Sequence, residues 1–304
     1  HHQWAGQCLD CKEWNTLEEV VISQATSSKP ESLKDLPASK VQNLSEIKSQ
    51  NNHRLSTGLS ELDRTLGGGL VDGSVVLIGG DPGIGKSTLI LQAIAAINAS
   101  NTTLYVSGEE SAEQVSDRAI RLGIKEDILF IGETHLEKII KISKDTRPKV
   151  IVIDSIQTMV TDLSNSAPGS VTQVRDCAAQ LTQYAKQTNT ILLMIGHVTK
   201  GGALAGPRIL EHMVDAVLYF EGDAGGRYRI IRAVKNRFGA VNEISVFAMG
   251  EKGLQQVSNP SSIFLSNQEN PSSGSMVMVT REATRPLLVE IQALVDQANG
   301  TPKR

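Results

Sequence analysis

Between residues 70 and 200, short apolar runs alternate with segments whose apolar residues recur at helical spacing. Continuous apolar runs of this length predict strands buried on both faces, and the segments between them predict amphipathic helices. Because strand and helix alternate throughout, we expect a right-handed, mostly parallel α/β sheet flanked by helices. After a first strand near residue 75, the predicted strands are 103–107, 128–131, 150–154 and 190–195.

Start signals mark several of the predicted helices. Ser111 and Gln114 have the spacing of a capping box, and Ser170 and Gln173 repeat it. Gly123 is a natural stop for the first of these two helices. Another helix is predicted to begin near Lys86, and its apolar stripe consists of Leu89, Ile90, Ala93, Ile94 and Ile97.

The segments on either side of this region are also patterned. Ser60 is expected to cap a short helix before the turn at 67–69. Past residue 200 the strand-like runs are separated by glycine turns, so we expect them to extend one sheet edge as hairpins. These runs are 214–220, 228–234 and 243–249.

Changes in composition divide the chain into five segments, of which residues 1–14 are the first. Residues 15–52 are rich in Ser, Lys, Glu and Asn, which predicts a linker or arm with little core. A second polar stretch, 259–275, predicts another linker, and the region between them, 53–258, is predicted to be one domain. Residues 276–304 resume an apolar pattern, as expected at the start of a further domain.

Composition narrows the functional classes. The hydrophobic fraction is 40% and the charged fraction 21%, as in soluble globular proteins. No apolar run approaches the ~20 residues that span a bilayer, and three cysteines do not suggest a disulfide framework. We therefore expect a cytoplasmic protein without a membrane partner. A net charge of −3 gives no electrostatic argument for nucleic acid, and at 4% aromatic residues no base-stacking platform is evident.

The strand near residue 75 runs into a complete phosphate-binding loop with the pattern G-x-x-x-x-G-K-S. Loop glycines let backbone amides converge on phosphate oxygens, and the following helix adds its dipole. Lys86 is expected to reach the β- and γ-phosphates, and the Ser87 hydroxyl to bind Mg²⁺. The predicted nucleotide-binding residues are Gly80, Asp81, Pro82, Gly83, Ile84, Gly85, Lys86, Ser87 and Thr88.

Polar residues that end the later strands are candidates for the chemistry. Asp154 ends a buried strand and is expected to hold Mg²⁺ through water. Glu109 and Glu110 follow another strand, where one of them is expected to orient the attacking water. His197 ends the next strand, as a sensor of the γ-phosphate or as an ordinary sheet-edge histidine.

Several cations are candidates for contact with phosphates. Lys235 and Arg237 lie two residues apart, which places them on one face of a strand. They are either a solvated basic face or a pair that reaches the γ-phosphate of a neighbouring subunit. Lys200 and Arg208, with Arg175, are candidate contacts to a nucleic acid strand, although isolated loop cations are usually just solvated.

Cys8 and Cys11 have the spacing of half a tetrahedral zinc site within residues 1–14. His1 and His2 are alternative ligands, unless they are a remnant of cloning. The pair is either free of metal or the second half of a four-cysteine module.

Five motifs in the sequence together resemble the bacterial RadA family, also called Sms, of RecA-like DNA repair ATPases. They are Gly80-Asp-Pro-Gly-Ile-Gly-Lys-Ser-Thr88, Val106-Ser-Gly-Glu-Glu-Ser-Ala-Glu-Gln114, Ile153-Asp-Ser-Ile-Gln-Thr158, Gly196-His-Val-Thr-Lys200 and Lys235-Asn-Arg-Phe-Gly239. Residues 4–16 resemble the second half of that family's four-cysteine zinc finger, and 281–295 resemble the start of its Lon-protease-like domain. The first cysteine pair of the finger is not in this sequence, so the resemblance does not predict zinc binding here.

The resemblance implies a RecA-like fold and a DNA-dependent ATPase that uses ATP and Mg²⁺ in homologous recombination. The family is similar to DnaB-type replicative helicases and drives branch migration of recombination intermediates on single-stranded DNA. A hexameric ring and the RecA recombinase as partner are also implied. By the same resemblance Asp154 is the Walker B acid and Glu109 the catalytic glutamate. Lys235 and Arg237 are the trans-acting pair, which in this family is also associated with DNA engagement.

Two other functions remain open at the level of sequence. The first is a RecA-like strand-exchange protein that forms open filaments instead of closed rings. The second is a nucleotide-gated ATPase that acts on a protein partner, for which single-stranded DNA would leave ATP turnover unchanged.

Overall fold

The computed structural model describes residues 54–164, 166–197, 209–222, 226–265 and 274–293. The predicted half-site at Cys8 and Cys11 and the predicted arm at 15–52 lie outside these residues. Among the residues described, no helix has the length and apolar character needed to cross a membrane.

The order of strands and helices follows the predicted alternation. The strands are β1 (Arg54–Leu55), β2 (Leu70–Val71), β3 (Val75–Gly80), β4 (Thr103–Ser107), β5 (Leu129–Gly132), β6 (Val150–Asp154), β7 (Ile191–His197), β8 (Ala216–Glu221), β9 (Tyr228–Asn236), β10 (Ile244–Gly250), β11 (Gly253–Gln256), β12 (Ser275–Glu282) and β13 (Arg285–Gln292). The helices are α1 (Ser60–Thr65), α2 (Lys86–Asn98), α3 (Ala112–Leu122), α4 (Leu136–Thr146) and α5 (Val171–Thr188). Short 3-10 turns lie at Ile156–Thr158 and at Pro260–Ile263, the second within the predicted linker.

A nine-stranded sheet, in the order β11-β10-β9-β8-β3-β7-β6-β4-β5, forms the centre of the molecule. Strands β3 to β8 pair with one another in parallel. Strands β9, β10 and β11 extend the sheet beyond β8 and pair antiparallel. Both the parallel α/β sheet and the hairpin extension predicted from the sequence are therefore confirmed.

The central strands are buried on both faces. Every residue of β3, β4 and β6 is buried, because helices cover the sheet on its two sides. One apolar layer includes α2 and the first face of the sheet, and a second layer includes α4, α5 and the opposite face. The apolar stripe predicted for α2 is buried, as are Leu91 and Ala95 outside it. Because both faces are covered, β3 and β6 hold Gly80 and Asp154 in fixed positions at the carboxyl edge of the sheet.

The predicted helix signals are confirmed in part. At α3 both bonds of the capping box form between Ser111 and Gln114, and Gly123 ends the helix with a φ of 73°. At α5 the Ser170 hydroxyl accepts the amide of Gln173, but the Gln173 side chain donates to the carbonyl of Thr161. The second capping box is therefore only half formed.

The predicted cap at Ser60 is wrong. Leu59 occupies the N-cap position of α1 and makes no side-chain cap bond. The Ser60 hydroxyl instead donates to the side-chain carbonyl of Gln256, on β11, at 2.8 Å. A partner far along the chain has thus replaced the local contact that the sequence suggested.

Strands β12 and β13 form a separate antiparallel hairpin within the segment predicted to begin a further domain. Ion pairs attach this hairpin to the main domain: Arg285 lies 2.6 Å from Glu61, and Arg232 lies 3.2 Å from Glu282. Much of the hairpin's apolar surface is exposed, including Met276 and Val279.

Candidate functional site

The phosphate-binding loop connects β3, in the middle of the sheet, to the first turn of α2. Gly85 is the N-cap of α2 and has a φ of 113°, a conformation that L side chains rarely adopt. A Cβ atom at Gly85 would also lie 2.7 Å from the methyl carbon of Met249. Glycine is therefore required here both by the backbone angle and by the close approach of β10. The amides at this helix start form the type of site that binds anions.

Lys86 begins α2 and is only 3% exposed. Its ammonium group donates to the carbonyl oxygens of Gly80 and Asp81, both at 2.8 Å. Burial lowers the pKa of Lys86 to about 8, although the charges of Asp154, Asp81 and Glu109 oppose the shift. This lysine is thus folded back on its own loop.

Asp154 ends β6 and is 4% exposed. The hydroxyl of Tyr105 donates to its Oδ2 atom, and the hydroxyl of Ser87 also hydrogen-bonds the carboxylate. Burial raises the pKa of Asp154, while these two hydrogen bonds oppose the rise. A hydroxyl and a carboxylate in contact beside a phosphate-binding loop fit Mg²⁺, which takes few protein ligands and completes its shell with water and phosphate oxygens.

Glu109 follows β4 and faces the end of the neighbouring strands. The Ser155 hydroxyl donates to its Oε1 atom, and Nε2 of His197 lies 3.3 Å from the same oxygen. The hydrogen bond from His197 lowers the pKa of Glu109, with help from Ser155, although burial opposes the shift. This carboxylate is therefore held by two side chains at the edge of the phosphate cleft.

Glu110 has different partners. Its carboxylate forms an ion pair with Arg118 of α3, and its amide donates to the Ser107 hydroxyl at 2.9 Å. The two adjacent glutamates therefore differ in their surroundings: Glu109 contacts side chains at the strand ends, and Glu110 pairs with the helix that follows it.

These groups line a cleft of about 360 Å³. The residues that line it are Pro82, Gly83, Gly85, Lys86, Ser87, Thr88, Glu109, Glu110, Arg118, Arg121, Asp154 and His197. A second cleft, of about 270 Å³, shares Thr88 and Arg121 with the first and extends to the turn between β10 and β11. Both clefts lie at the carboxyl edge of the sheet, where α/β sheets bind ligands.

Lys235 and Arg237 lie away from this cleft. Lys235 donates to the carbonyl of Glu211 at 2.6 Å, and Arg237 lies 3.1 Å from Oδ1 of Asp215. Asp215 also accepts the amide of Val75, the first residue of β3. Because five residue steps along β3 separate Val75 from Gly80, Arg237 lies about 17 Å from the loop of the same chain. Lys235 is level with Leu77 through β8, three steps from Gly80, and lies at least about 10 Å from the loop.

The remaining predicted cations form no part of the cleft. Lys200 and Arg208 lie outside the described residues. Arg175 is exposed on α5 and pairs with its neighbour Asp176 at 3.3 Å. Among the residues that the structure describes, no group of three or more His, Cys, Asp or Glu side chains is placed to hold a metal ion.

Sequence reasoning missed several residues that support the site. Besides Tyr105 and Ser155, Arg118 lines the cleft, and the buried Arg229 of β9 donates from Nε to the carbonyl of Ile84 at 2.9 Å. The signal for Tyr105 was a tyrosine within an otherwise buried strand. Ser155 directly follows the acid, but no local pattern indicates its contact with Glu109.

Comparison with known proteins agrees with this geometry. A family model described as an AAA domain matches residues 42–203. The chain is 55% identical to the DNA repair protein RadA of Pseudomonas aeruginosa, over 99% of this chain and 67% of that protein. It is 53% identical to RadA of Haemophilus influenzae and 52% identical to RadA of Escherichia coli, with the same coverage of both chains.

The chain belongs to the RadA family. The resemblance seen in the sequence motifs is thereby confirmed, and so is the RecA-like ATPase fold. A nucleotide-hydrolysing domain of this kind accounts for the cleft between the phosphate-binding loop and Asp154. The chain spans about two thirds of the length of the RadA proteins that it matches.

Proposed function

We propose that this chain is the ATPase core of a DNA-dependent motor of DNA repair, which hydrolyses ATP with Mg²⁺ and acts as a ring of identical subunits. In this proposal the motor translocates on single-stranded DNA, drives branch migration of recombination intermediates, and works beside the RecA recombinase. The observation that carries the proposal is the separation between a nearly complete nucleotide cleft and a pair of cations at the opposite edge of the same sheet.

Binding of the triphosphate is the first step. The amides at the start of α2 and the ammonium group of Lys86 hold the phosphates, and Lys86 exchanges its two loop carbonyls for phosphate oxygens. Ser87 and, through water, Asp154 would hold Mg²⁺, which when bound would neutralise charge that develops on the phosphate oxygens. The smaller cleft beside Thr88 and Arg121 is the space for the base and ribose.

Orientation of the attacking water is the second step. Glu109 is the better candidate of the two glutamates, because its carboxylate faces His197 and Ser155 at the cleft. Its lowered pKa keeps the carboxylate ionised, so that it accepts a hydrogen bond from the water. In this proposal His197, which contacts Glu109 and ends β7, responds when the γ-phosphate leaves.

Completion of the site by a neighbour is the third step. Arg237 lies about 17 Å and Lys235 at least about 10 Å from their own phosphate-binding loop, which exceeds the reach of either side chain. Cations supplied in trans stabilise the charge of the transferring phosphoryl group and couple hydrolysis to assembly. A head-to-tail ring would bring this pair to the cleft of the next subunit.

Contact with DNA is proposed from the family. The matched relatives are named DNA repair proteins, and the motif that contains Lys235 and Arg237 is the one associated with DNA engagement in the resemblance. Lys200 and Arg208 are further proposed contacts. No zinc site is proposed for this chain.

The test is the ATPase rate with and without single-stranded DNA at two salt concentrations. We expect DNA to raise the rate several-fold, and we expect the stimulation to weaken at higher salt because phosphate contacts release counterions. An unchanged rate at both concentrations would favour an ATPase that acts on a protein partner. Electron microscopy with ATP and DNA separates closed rings from the open filaments of a strand-exchange protein.

A further inference from the structure

Tyr105 carries a hydroxyl group at a fully buried position of the sheet, where apolar side chains are the usual occupants. It lies in the middle of β4, opposite Val152 of β6, and its exposed fraction is 0%. Its ring stacks on Phe130 with centroids 6.3 Å apart. A phenylalanine would fill the same space without burying a hydroxyl group, which is unfavourable unless the group is hydrogen-bonded. The hydroxyl of Tyr105 therefore needs a hydrogen-bond partner inside the protein.

The hydroxyl of Tyr105 contacts the acid at the end of the next strand. Asp154 is two residues beyond Val152, or about 7 Å along β6, which matches the length of a tyrosine side chain that runs along the sheet. There the hydroxyl donates to Oδ2 of Asp154, while the Ser87 hydroxyl reaches the same carboxylate. The carboxylate is thus held between a hydroxyl from the core and a hydroxyl from the phosphate-binding loop.

We propose that Tyr105 is a positioning residue that fixes the carboxylate of Asp154 in the orientation needed for Mg²⁺. The inference rests on the proposed function, in which Asp154 holds Mg²⁺ through water. Tyr105 does not line the phosphate cleft, so it acts through Asp154 and not on the nucleotide. Hydrogen-bond partners behind metal-site carboxylates set their orientation, and loss of such a partner weakens metal binding about 10- to 100-fold.

A purely structural role makes a different prediction. If the hydroxyl merely found the nearest acceptor in the core, its removal would lower the urea midpoint of unfolding and leave the affinity for Mg²⁺ unchanged. The two roles therefore differ in a quantity that can be measured without following hydrolysis.

The experiment uses Tyr105→Phe in the full chain, which removes one hydroxyl group and keeps the ring. Binding of a fluorescent ATP analogue is measured first in EDTA and then during titration with Mg²⁺. We expect the affinity in EDTA to stay within about twofold of wild type, while the half-saturating Mg²⁺ concentration rises about tenfold. Tyr184→Phe is the matched control, because Tyr184 lies on α5, outside the phosphate cleft, and should leave both values unchanged.

Two results would overturn the inference. A half-saturating Mg²⁺ concentration within twofold of wild type would show that the hydroxyl does not serve the metal site. Loss of analogue binding in EDTA would show that the hydroxyl supports the fold of the cleft itself. Failure of the proposed function is seen separately, because wild-type protein would then bind the analogue without any dependence on Mg²⁺.

Discussion

We predict that the buried lysine of the phosphate-binding loop makes nucleotide binding sensitive to pH. Lys86 is enclosed by its own loop, and burial lowers its pKa to about 8. A bound triphosphate places several negative charges beside the ammonium group, which favours the protonated form and raises the pKa again. Binding of ATP should therefore take up a proton wherever the free protein has lost one.

The size of the uptake follows from the pKa of the free protein. With a pKa of about 8, Lys86 is about 25% protonated at pH 8.5 and about 90% protonated at pH 7. If the bound lysine is fully protonated, each nucleotide takes up about 0.75 proton at pH 8.5 and about 0.1 at pH 7. The sign is fixed by linkage: since the complex holds more protons than its components, affinity falls as pH rises above 8 and is unaffected well below it.

Isothermal titration calorimetry measures this uptake directly. A non-hydrolysable ATP analogue is titrated into the full chain at each pH, in buffers that differ in their heat of ionisation. The slope of observed heat against ionisation heat gives the number of protons taken up. Lys86→Arg is the matched control, because an arginine keeps the charge and does not titrate in this range.

Two outcomes would refute the reasoning. The first is an uptake below about 0.2 proton at pH 8.5 in wild-type protein that still binds the analogue. The second is the same uptake in Lys86→Arg, which would assign the proton to another group. Either outcome would mean that the lysine keeps its proton in the free loop despite its burial.

Three further predictions test other parts of the site. Arg237→Ala should bind nucleotide normally but hydrolyse it at least tenfold more slowly, and mixing it with Lys86→Ala should restore part of the activity at mixed interfaces; no restoration in a coupled ATPase assay would argue against action in trans. Arg229→Met should weaken nucleotide affinity several-fold, because a phosphate-loop carbonyl loses its buried donor, and an unchanged dissociation constant would contradict this. Gly79→Ala should lower the free energy of unfolding in urea by about 1–3 kcal/mol, because its Cβ would lie 2.3 Å from the Tyr219 ring; an unchanged midpoint would show that the ring moves aside.

The parts of the site that were predicted from the sequence are those in which function depends on neighbours in the chain. The phosphate-binding loop is one continuous segment, so its strand, glycines and helix start are all visible in the order of residues. Asp154 was predicted because a buried strand ends with it, and β6 has the predicted bounds. Each of these features is local, and the structure needed only to confirm the sheet around them.

The contacts that were not predicted depend on which strands lie side by side. Tyr105 reaches Asp154 because β4 and β6 are neighbours, although β5 and α4 separate them in sequence. Glu109 meets His197 across an even longer separation, at a distance of 3.3 Å. Alternation of strands and helices indicates a parallel sheet but not its strand order, so such pairs cannot be derived from spacing. The predicted helix cap at Ser60 was wrong for the same reason, since the Ser60 hydroxyl bonds Gln256 on a distant strand.

The contacts of Arg237 within its own chain are compatible with the trans-acting role proposed for it. Its guanidinium group pairs with Asp215, yet 58% of its side chain is exposed, and an exposed ion pair of this kind contributes at most about 1 kcal/mol. Asp215 does not depend on this pair, because Lys186 and the amide of Val75 also bind its carboxylate. Arg237 can therefore leave for the γ-phosphate of a neighbour without stranding a buried charge. In the proposed ring, the interaction with Asp215 would keep the cation at the subunit surface, and its weakness would allow transfer to the neighbouring cleft.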